Sequence, residues 1–267
     1  NSHTVQIILP CFNCSRTIEE TLLSIQNQSF TDFECSMIDD CSTDHTESIL
    51  RRFESVDSRF VYLKTPCNGG VSAARNFGLL QIRSPFLAFL DSDDIWHPEL
   101  LMSAMDFLSR GLDFVYSPIL RFFDTNKRPS FLKASPKYVT LRSLLTNNHI
   151  PLSAAVFRSC LLKDLSRFEK NRPEDYIFWI NLFRNNPGLK ALRFSKIPHL
   201  FYRVSASQRS ANKAKNIKRA YYVYRHCWGF ARFLSVVMCF VYIMNSLIDY
   251  FIQYSSPRKY PFHLWSA

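Results

Sequence analysis

The C-terminal third of the sequence has almost no acidic residues. No aspartate or glutamate occurs between Tyr176 and Ile248, whereas twelve lysines and arginines lie in that interval. The whole chain has 33 Lys plus Arg against 22 Asp plus Glu, which gives a net charge of +11. Because a local surplus of one sign attracts opposite charge, we expect an anionic partner for this part of the chain.

The sequence also lacks an apolar run of the about 20 residues that a membrane-spanning helix needs. Phe233 to Ile248 is free of charge for only 16 residues. We therefore interpret residues 211–267 as a basic, aromatic helical extension that lies on an anionic membrane surface. A helical pair packed on the rest of the chain, or on a second copy of it, is the alternative. The N-terminal Asn1 to Thr4 shows no signal-peptide features, and we expect a protein of the cytoplasmic face of the inner membrane.

No complete zinc-binding pattern is present among the eight cysteines. Cys11 and Cys14 form one Cys-x-x-Cys pair, but no second pair or His-x-x-x-His completes it. The cysteines are spread along the chain, and several lie in apolar segments. We expect buried free thiols in a reducing compartment.

Apolar strand-like segments alternate with amphipathic helices in the first hundred residues. The predicted strands cover residues 5–9, 34–38, 60–63 and 86–90, and helical periods lie between them. This alternation predicts an α/β fold with a mainly parallel, twisted sheet flanked by helices. Ligands of such sheets bind beyond the carboxyl ends of the strands, where Pro10, Asp39 to Asp40 and Asp91 to Asp94 fall.

Three acids follow the fourth predicted strand directly. Asp91, Asp93 and Asp94 are separated only by Ser92, and carboxylates at this spacing can share a divalent cation and a ribose. Mg²⁺ and Mn²⁺ prefer oxygen ligands of this kind together with phosphates. The alternative is a turn and helix cap before the helix predicted at Pro98.

A glycine turn precedes the third predicted helix. Asn68, Gly69 and Gly70 lead into a helix of small residues, whose first amides and dipole favour an anion. Arg75 lies one turn into this helix, where it can reach a nucleotide. A single arginine on a solvated helix face is the competing interpretation.

Five motifs occur in an order that resembles family 2 glycosyltransferases, over roughly residues 5–205. They are Ile7 to Asn13, Ile38 to Asp44, Asn68 to Asn76, Phe89 to Asp94 and Glu174 to Tyr176. The resemblance implies a GT-A fold with a Rossmann-like nucleotide-binding half, a UDP-sugar donor, Mn²⁺ or Mg²⁺, and inversion at the anomeric carbon. It also implies a catalytic domain at residues 1–210, with a donor half at 1–110 and an acceptor half at 111–210.

The resemblance also assigns roles to individual residues. Donor-binding residues would be Pro10, Phe12, Asp39, Asp40, Asn68, Gly69, Arg75 and Asp91. Asp93, with Asp91, would bind the metal. Asp175, with Glu174 beside it, would act as the catalytic base; the alternative for this pair is an acidic start to a helix after Pro173.

One departure from the family pattern concerns the metal. The family often has Tyr-Arg-x-His after the last core strand, whereas this chain reads Tyr202-Arg203-Val204-Ser205. A serine hydroxyl does not replace imidazole as a strong ligand. His199 occurs earlier, and we expect it to be a surface or core histidine.

The expected acceptor is a glycan or lipid-linked glycan in the synthesis of bacterial-type surface polysaccharide or lipopolysaccharide. Two other functions are considered. A sugar-nucleotide nucleotidyltransferase would show a basic, Gly-rich signature at the first strand end, which Pro10 to Cys14 lacks. A basic nucleic-acid-binding protein is disfavoured, and no nucleic acid is expected, because acids line the predicted cleft and would repel phosphates.

Overall fold

The computed structural model describes residues 3–123, 129–133, 135–163, 167–170, 173–204 and 213–255. The first half alternates strands and helices as predicted. Its elements are β1 (Val5–Cys11), α1 (Ile18–Gln26), β2 (Phe33–Asp39), α2 (Thr46–Val56), β3 (Phe60–Lys64), α3 (Val71–Leu79) and β4 (Phe86–Phe89). The four strands are parallel in the order β3-β2-β1-β4, and Val5 is in register with both Phe33 and Phe86.

Strand β1 lies at the centre of this parallel part, and all seven of its residues are buried. Helix α3 packs closely on it because Gly78 has no side chain. A Cβ atom at Gly78 would lie 2.7 Å from Cγ2 of Ile8. The close approach brings the N-terminal end of α3 near the carboxyl ends of β1 and β4.

The second half is less regular and was only partly predicted. Its elements are β5 (Ile95–Trp96), α4 (Leu100–Ser109), β6 (Phe114–Tyr116), β7 (Ile119–Phe123), β8 (Pro129–Lys133), β9 (Tyr138–Val139), β10 (Ala155–Arg158), α5 (Glu174–Asn185), β11 (Ala191–Arg193) and β12 (Leu200–Val204). The main sheet has eight strands in the order β3-β2-β1-β4-β10-β6-β11-β9, in which β10 and β9 run antiparallel to their neighbours. The sheet is therefore mixed beyond β4.

A second sheet of four strands, β5-β12-β7-β8, was not predicted. Strand β8 pairs with β7 in antiparallel orientation. Strand β12 joins this sheet between β5 and β7. The second sheet places Tyr202 and Arg203 beside the carboxyl end of β4.

Aromatic side chains fill the core between the main sheet and α5. Phe178 stacks on Phe168 at 4.3 Å between ring centroids, and Phe114 stacks on Phe157 at 5.2 Å. Trp179 is buried against both Phe114 and Phe157. This packing fixes the position of α5, whose first turn carries Glu174 and Asp175.

The C-terminal residues form α6 (Lys213–Tyr222), a π-helical segment (Val223–Cys227) and α7 (Arg232–Ser255). Ala220, Tyr224 and Cys239 are buried where α6 and α7 meet. The pair packs on the main sheet's helical layer, because Val223 is buried with residues of α5 and Arg184 lies over the Trp228 ring at 4.8 Å. Among the described residues, no helix combines the length and hydropathy that crossing a bilayer requires.

All eight cysteines are free thiols. Cys11, Cys35 and Cys239 are buried, as expected, but Cys67 and Cys160 are exposed. The expectation of buried thiols was wrong for these two, because Cys67 lies in a surface bend and Cys160 in a short 3₁₀ helix rather than in apolar strands.

Candidate active site

A cleft of about 940 Å³ lies at the carboxyl ends of β1 and β4. It brings together seven of the predicted site residues: Pro10, Phe12, Arg75, Asp91, Asp93, Glu174 and Asp175. They come from the ends of two strands and from the N-terminal parts of α3 and α5. Asp39, Asp40, Asn68 and Gly69 do not line this cleft.

Asp40 is buried beneath the glycine turn. Its carboxylate accepts hydrogen bonds from the amides of Gly69 at 3.1 Å and Gly70 at 2.6 Å, and from the Thr65 hydroxyl at 2.8 Å. The amides that the sequence analysis assigned to a bound anion thus bind a carboxylate of the protein itself. The contact of Asp40, Asn68 and Gly69 with a nucleotide stays a prediction.

Asp39 is also buried and fully engaged. It accepts hydrogen bonds from the amide of Ser42 at 2.9 Å and from the Tyr62 hydroxyl at 3.1 Å. Burial, with the Asp39 carboxylate as a second cause, raises the pKa of Tyr62 well above its usual range. Asp39 therefore holds the turn after β2, and its contact with a donor also stays a prediction.

Arg75 connects the end of β4 to the start of α5. Its guanidinium lies 2.5 Å from Asp91 Oδ1 and 3.7 Å from Glu174 Oε1, and over the Phe168 ring at 5.2 Å. The side chain is only 5% exposed, so the alternative of a solvated helix face is wrong. Paired in this way, Arg75 fixes two acids of the cleft relative to each other.

Asp175 is held by two hydrogen bonds. Asn148 Nδ2 donates to Oδ2 at 2.8 Å, and the Tyr176 amide donates to Oδ1 at 2.9 Å. Burial raises the pKa of Asp175 above its usual value, while the positive charge of Arg75 acts against this increase. A carboxylate with a raised pKa is a better proton acceptor, which is the property a general base needs. Asn148 lies in an irregular segment and was not predicted as a site residue.

Residues 91–94, termed the acid loop, form a tight turn in which the amide of Asp94 donates to the Asp91 carbonyl at 3.1 Å. Arg203 of β12 holds this loop: its Nε donates to the Asp93 carbonyl at 2.8 Å and its amide to Asp94 Oδ1 at 3.2 Å. Its Nη2 also pairs with Glu20 at 2.5 Å. Arg203 was noted in the sequence only beside the position of the missing histidine, so this contact with the acid loop was not predicted.

The acids of the loop differ in exposure. Asp94 is buried, and its pKa is raised well above the usual value by burial and by the charges of Asp93 and Asp91. Asp91 is paired with Arg75, and both Asp91 and Asp93 line the cleft, whereas Asp94 does not. Asp91 and Asp93 are therefore the two acids of the loop that face the cleft.

No group of three or more histidine, cysteine or acidic side chains arranged to hold a metal occurs in the described part of the chain. The donor set of the acid loop is a carboxylate pair, Asp91 and Asp93. Such a pair suits Mg²⁺ or Mn²⁺, which complete their coordination with water and substrate phosphates. Ser205 lies outside the described residues.

His199 is a core histidine, as expected. It is buried, its Nδ1 lies 3.0 Å from the Ile197 carbonyl, and its ring packs against His97 and Phe194. Burial lowers the pKa of His199 to about 4. It does not line the cleft.

Residues 6–168 match the family described as Glycosyl transferase family 2. The chain belongs to this family. It is a glycosyltransferase, and the alternatives of a nucleotidyltransferase and a nucleic-acid-binding protein no longer apply.

Known proteins of this kind resemble the chain along most of its length. The chain is 29% identical over 256 residues to the UDP-Glc:alpha-D-GlcNAc-diphosphoundecaprenol beta-1,3-glucosyltransferase WfaP of Escherichia coli, covering 96% of this chain and 98% of that one. The fold of this chain is similar to that of S. aureus TarS 1-349 in complex with UDP-GlcNAc. The TM-score is 0.64 at 23% identity, over 90% of this chain and 71% of the other.

A second similar structure is the mannosyltransferase PcManGT from Pyrobaculum calidifontis in complex with GDP-Man and Mn²⁺. Its TM-score is 0.59 at 19% identity, over 85% of this chain and 63% of the other. Together these structures confirm the predicted α/β, GT-A architecture of this family 2 glycosyltransferase.

Proposed function

We propose that this glycosyltransferase moves a sugar from a UDP-sugar to a hydroxyl group of a lipid-linked glycan, with inversion at the anomeric carbon. The product would serve bacterial-type surface polysaccharide or lipopolysaccharide synthesis. The observation that carries the proposal is the shared cleft of Asp175, the acid loop and the end of β1. The names of WfaP, for a UDP-glucose donor and a diphosphoundecaprenol acceptor, and of the TarS complex, for a UDP-sugar, support it.

Asp175 acts as the general base in this reaction. It takes the proton from the acceptor hydroxyl as the hydroxyl oxygen forms a bond to the anomeric carbon. The bond from that carbon to the diphosphate breaks at the same time, and UDP leaves from the opposite face. Asn148 and the Tyr176 amide orient the carboxylate for this proton transfer, which contributes about 10²- to 10⁴-fold in rate.

Asp93, with Asp91, would hold a Mn²⁺ or Mg²⁺ ion together with oxygens of the donor diphosphate. When bound, the ion neutralises negative charge that grows on the leaving diphosphate. The Mn²⁺ of the PcManGT complex supports a divalent ion in this fold. Arg203 contributes by fixing the backbone of Asp93.

The uridine would lie over the end of β1. Phe12 lines the cleft and is 47% exposed, so its ring is accessible for contact with a base, and Pro10 lies beside it. Asp39, Asp40, Asn68 and Gly69 would complete this pocket from the neighbouring strand end and the glycine turn. Arg75 and Asp91 would lie next to the ribose and diphosphate.

Helix α7 would place the enzyme on a membrane. Its outer face, termed the apolar face of α7, exposes Phe233 at 81%, Phe240 at 64% and Met244 at 56%. The surrounding region carries no acid from residue 176 to residue 248, which favours an anionic surface. This arrangement suits an enzyme of the cytoplasmic face of the inner membrane whose acceptor is anchored in the bilayer.

The proposal is tested by UDP release from a panel of UDP- and GDP-sugars, with Mn²⁺, Mg²⁺ or chelator. We expect turnover with a UDP-sugar in the presence of a metal ion, and an anomeric configuration opposite to that of the donor in the product. Asp175→Asn should lower turnover by at least about 10²-fold and leave UDP binding unchanged. Selective turnover of a GDP-sugar, or full activity of the Asp175→Asn variant, would refute the proposal.

A further inference from the structure

The C-terminal helices form part of the active-site wall. Arg219 and Ala220 of α6 and Tyr242 of α7 line the same cleft as Asp175 and the acid loop. The segment that the sequence analysis treated as an extension therefore contributes directly to the site. It brings a positive charge to a cleft whose catalytic groups are mainly acidic.

We infer that the guanidinium of Arg219 binds the diphosphate of the isoprenyl-linked acceptor. This inference rests on the proposed transfer to a lipid-linked glycan and deepens it by naming the acceptor's anionic subsite. Arginine suits the task because its planar donor groups bind two phosphate oxygens at once.

The position of α6 places Arg219 on the acceptor side of the cleft. The π-helical segment that continues α6 packs on α5, the helix that carries Asp175, and α7 lies against β8 of the second sheet. The proposed nucleotide pocket is formed instead by the ends of β1 and β4. In a displacement with inversion, the acceptor enters on the side of the base and opposite the leaving UDP, which is the side of α6.

Among the arginines that line the cleft, Arg219 is available to bind an anionic ligand. Arg75 and Arg203 are paired with carboxylates, Arg121 of β7 has an interaction of its own, and Arg16 lies before α1 on the nucleotide side. Arg219 makes no ion pair or side-chain hydrogen bond within the part of the chain that the structure describes. Its half-buried position on the cleft wall lowers the competition from water for its donor groups.

The same helical pair carries the apolar face of α7 on its outside. One unit thus offers apolar contact on its outer surface and a guanidinium on its inner surface. An isoprenyl diphosphate has the matching order of groups, because its chain lies in the bilayer and its diphosphate lies at the membrane surface. The sugar beyond the diphosphate would then point towards Asp175.

The test is a calorimetric titration of the full chain with geranyl diphosphate, a short soluble isoprenyl diphosphate, while saturating UDP fills the donor pocket. We expect Arg219→Ala to weaken binding about tenfold, which corresponds to about 1.4 kcal/mol. Lys218→Ala removes the same charge from the exposed neighbouring position on α6 and should leave the affinity unchanged. Arg219→Lys should be intermediate, and geraniol should bind all four proteins equally weakly.

Equal affinity of the wild type and Arg219→Ala would overturn the inference, as would an equal loss in Lys218→Ala. Loss of UDP binding by Arg219→Ala would assign the residue to the donor and would also overturn it. The thermal midpoint of each variant verifies that it is folded. Failure of sugar transfer by the wild type would refute the proposed function. The titration would still show separately whether Arg219 binds an isoprenyl diphosphate.

Discussion

Arg75 and Asp91 form an ion pair of 2.5 Å that spans the cleft from α3 to the end of β4. The same guanidinium lies 3.7 Å from Glu174 and adds positive charge near Asp175. Because the arginine is buried, its field at these acids is weakly screened. Arg75 therefore links Asp91, on the proposed nucleotide side of the site, electrostatically to Asp175, the proposed base.

Arg75→Gln should change the pH dependence of catalysis. The positive charge of Arg75 lowers the pKa of Asp175, so its removal raises that pKa and leaves less of the base deprotonated at acidic pH. We expect the acidic limb of kcat/KM to shift to higher pH, with a larger loss of activity at pH 6 than at pH 8. Profiles measured from pH 5 to pH 9 check this, with the exposed Arg51→Gln as the control; parallel profiles for the wild type and Arg75→Gln would contradict it.

Asp40→Asn should separate a structural role from contact with the nucleobase. The carboxylate accepts three hydrogen bonds, two of them from the glycine turn, and an amide group cannot accept all of them in the same geometry. We expect a loss of about 1.5 to 3 kcal/mol of unfolding free energy.

The nucleotide affinity of Asp40→Asn is informative as well. A role in holding the turn predicts similar weakening for UDP and other nucleoside diphosphates, measured by calorimetry. Thr65→Val, which removes one of the three bonds, is the matched control and should have a smaller effect. A loss of affinity confined to UDP would show that Asp40 contacts the uracil directly.

His199 should make the fold less stable in mild acid. Its pKa is about 4 in the folded protein, below about 6.5 in the unfolded chain. The unfolded state therefore binds the proton more readily as the pH falls from about 6.5 towards 4, and stability is lost over that range. Relative to pH 7, we expect a cost of about 1 to 2 kcal/mol at pH 5.

Urea unfolding at pH 7 and pH 5 measures this cost. His199→Gln should reduce the difference between the two pH values, whereas His45→Gln, at an exposed position, should not change it. If the difference in unfolding free energy between pH 7 and pH 5 is the same in His199→Gln as in the wild type, other groups cause the loss of stability in acid.

The apolar face of α7 should mediate membrane binding. We expect the wild type to sediment with vesicles that contain anionic phospholipid, and Phe233→Asn with Phe240→Asn to reduce the bound fraction. Val56→Asn with Leu80→Asn removes comparably exposed apolar side chains elsewhere and should have no effect. Point variants are preferable to deletion of the C-terminal helices, because Arg219 and Tyr242 line the cleft. Equal sedimentation of both double variants would refute the membrane role of α7.

The sequence was informative where the fold depends on local pattern. The segments that became β1 to β4 are short and mainly apolar, and those of β2 and β4 lead directly into acids, so the acid loop and the end of β1 could be placed at one sheet edge. The second sheet was missed because its strands have only two to five residues and form through pairing between distant segments. The burial of Arg75 could not be predicted from the sequence either, because it depends on pairing with acids from two other elements.

The supporting residues of the site escaped the sequence analysis for the same reason. Asn148 contacts Asp175 across 27 residues of sequence, and Arg203 contacts Asp93 across 110. Neither contact leaves a periodic signal. The glycine turn was predicted to bind an external anion, whereas the amides of Gly69 and Gly70 donate to Asp40. This contact could not be predicted, because only the folded chain brings Asp40 beneath the turn.

The Arg203 contact means that the nucleotide-side motifs do not form an autonomous module. A fragment ending at residue 110 would contain every acid of the loop and the whole of β1. It would lack the Arg203 guanidinium, which donates a hydrogen bond to the Asp93 carbonyl and pairs with Glu20. Recombining this half with the remainder of a distant relative should therefore succeed only if the incoming segment supplies an equivalent cation at that point.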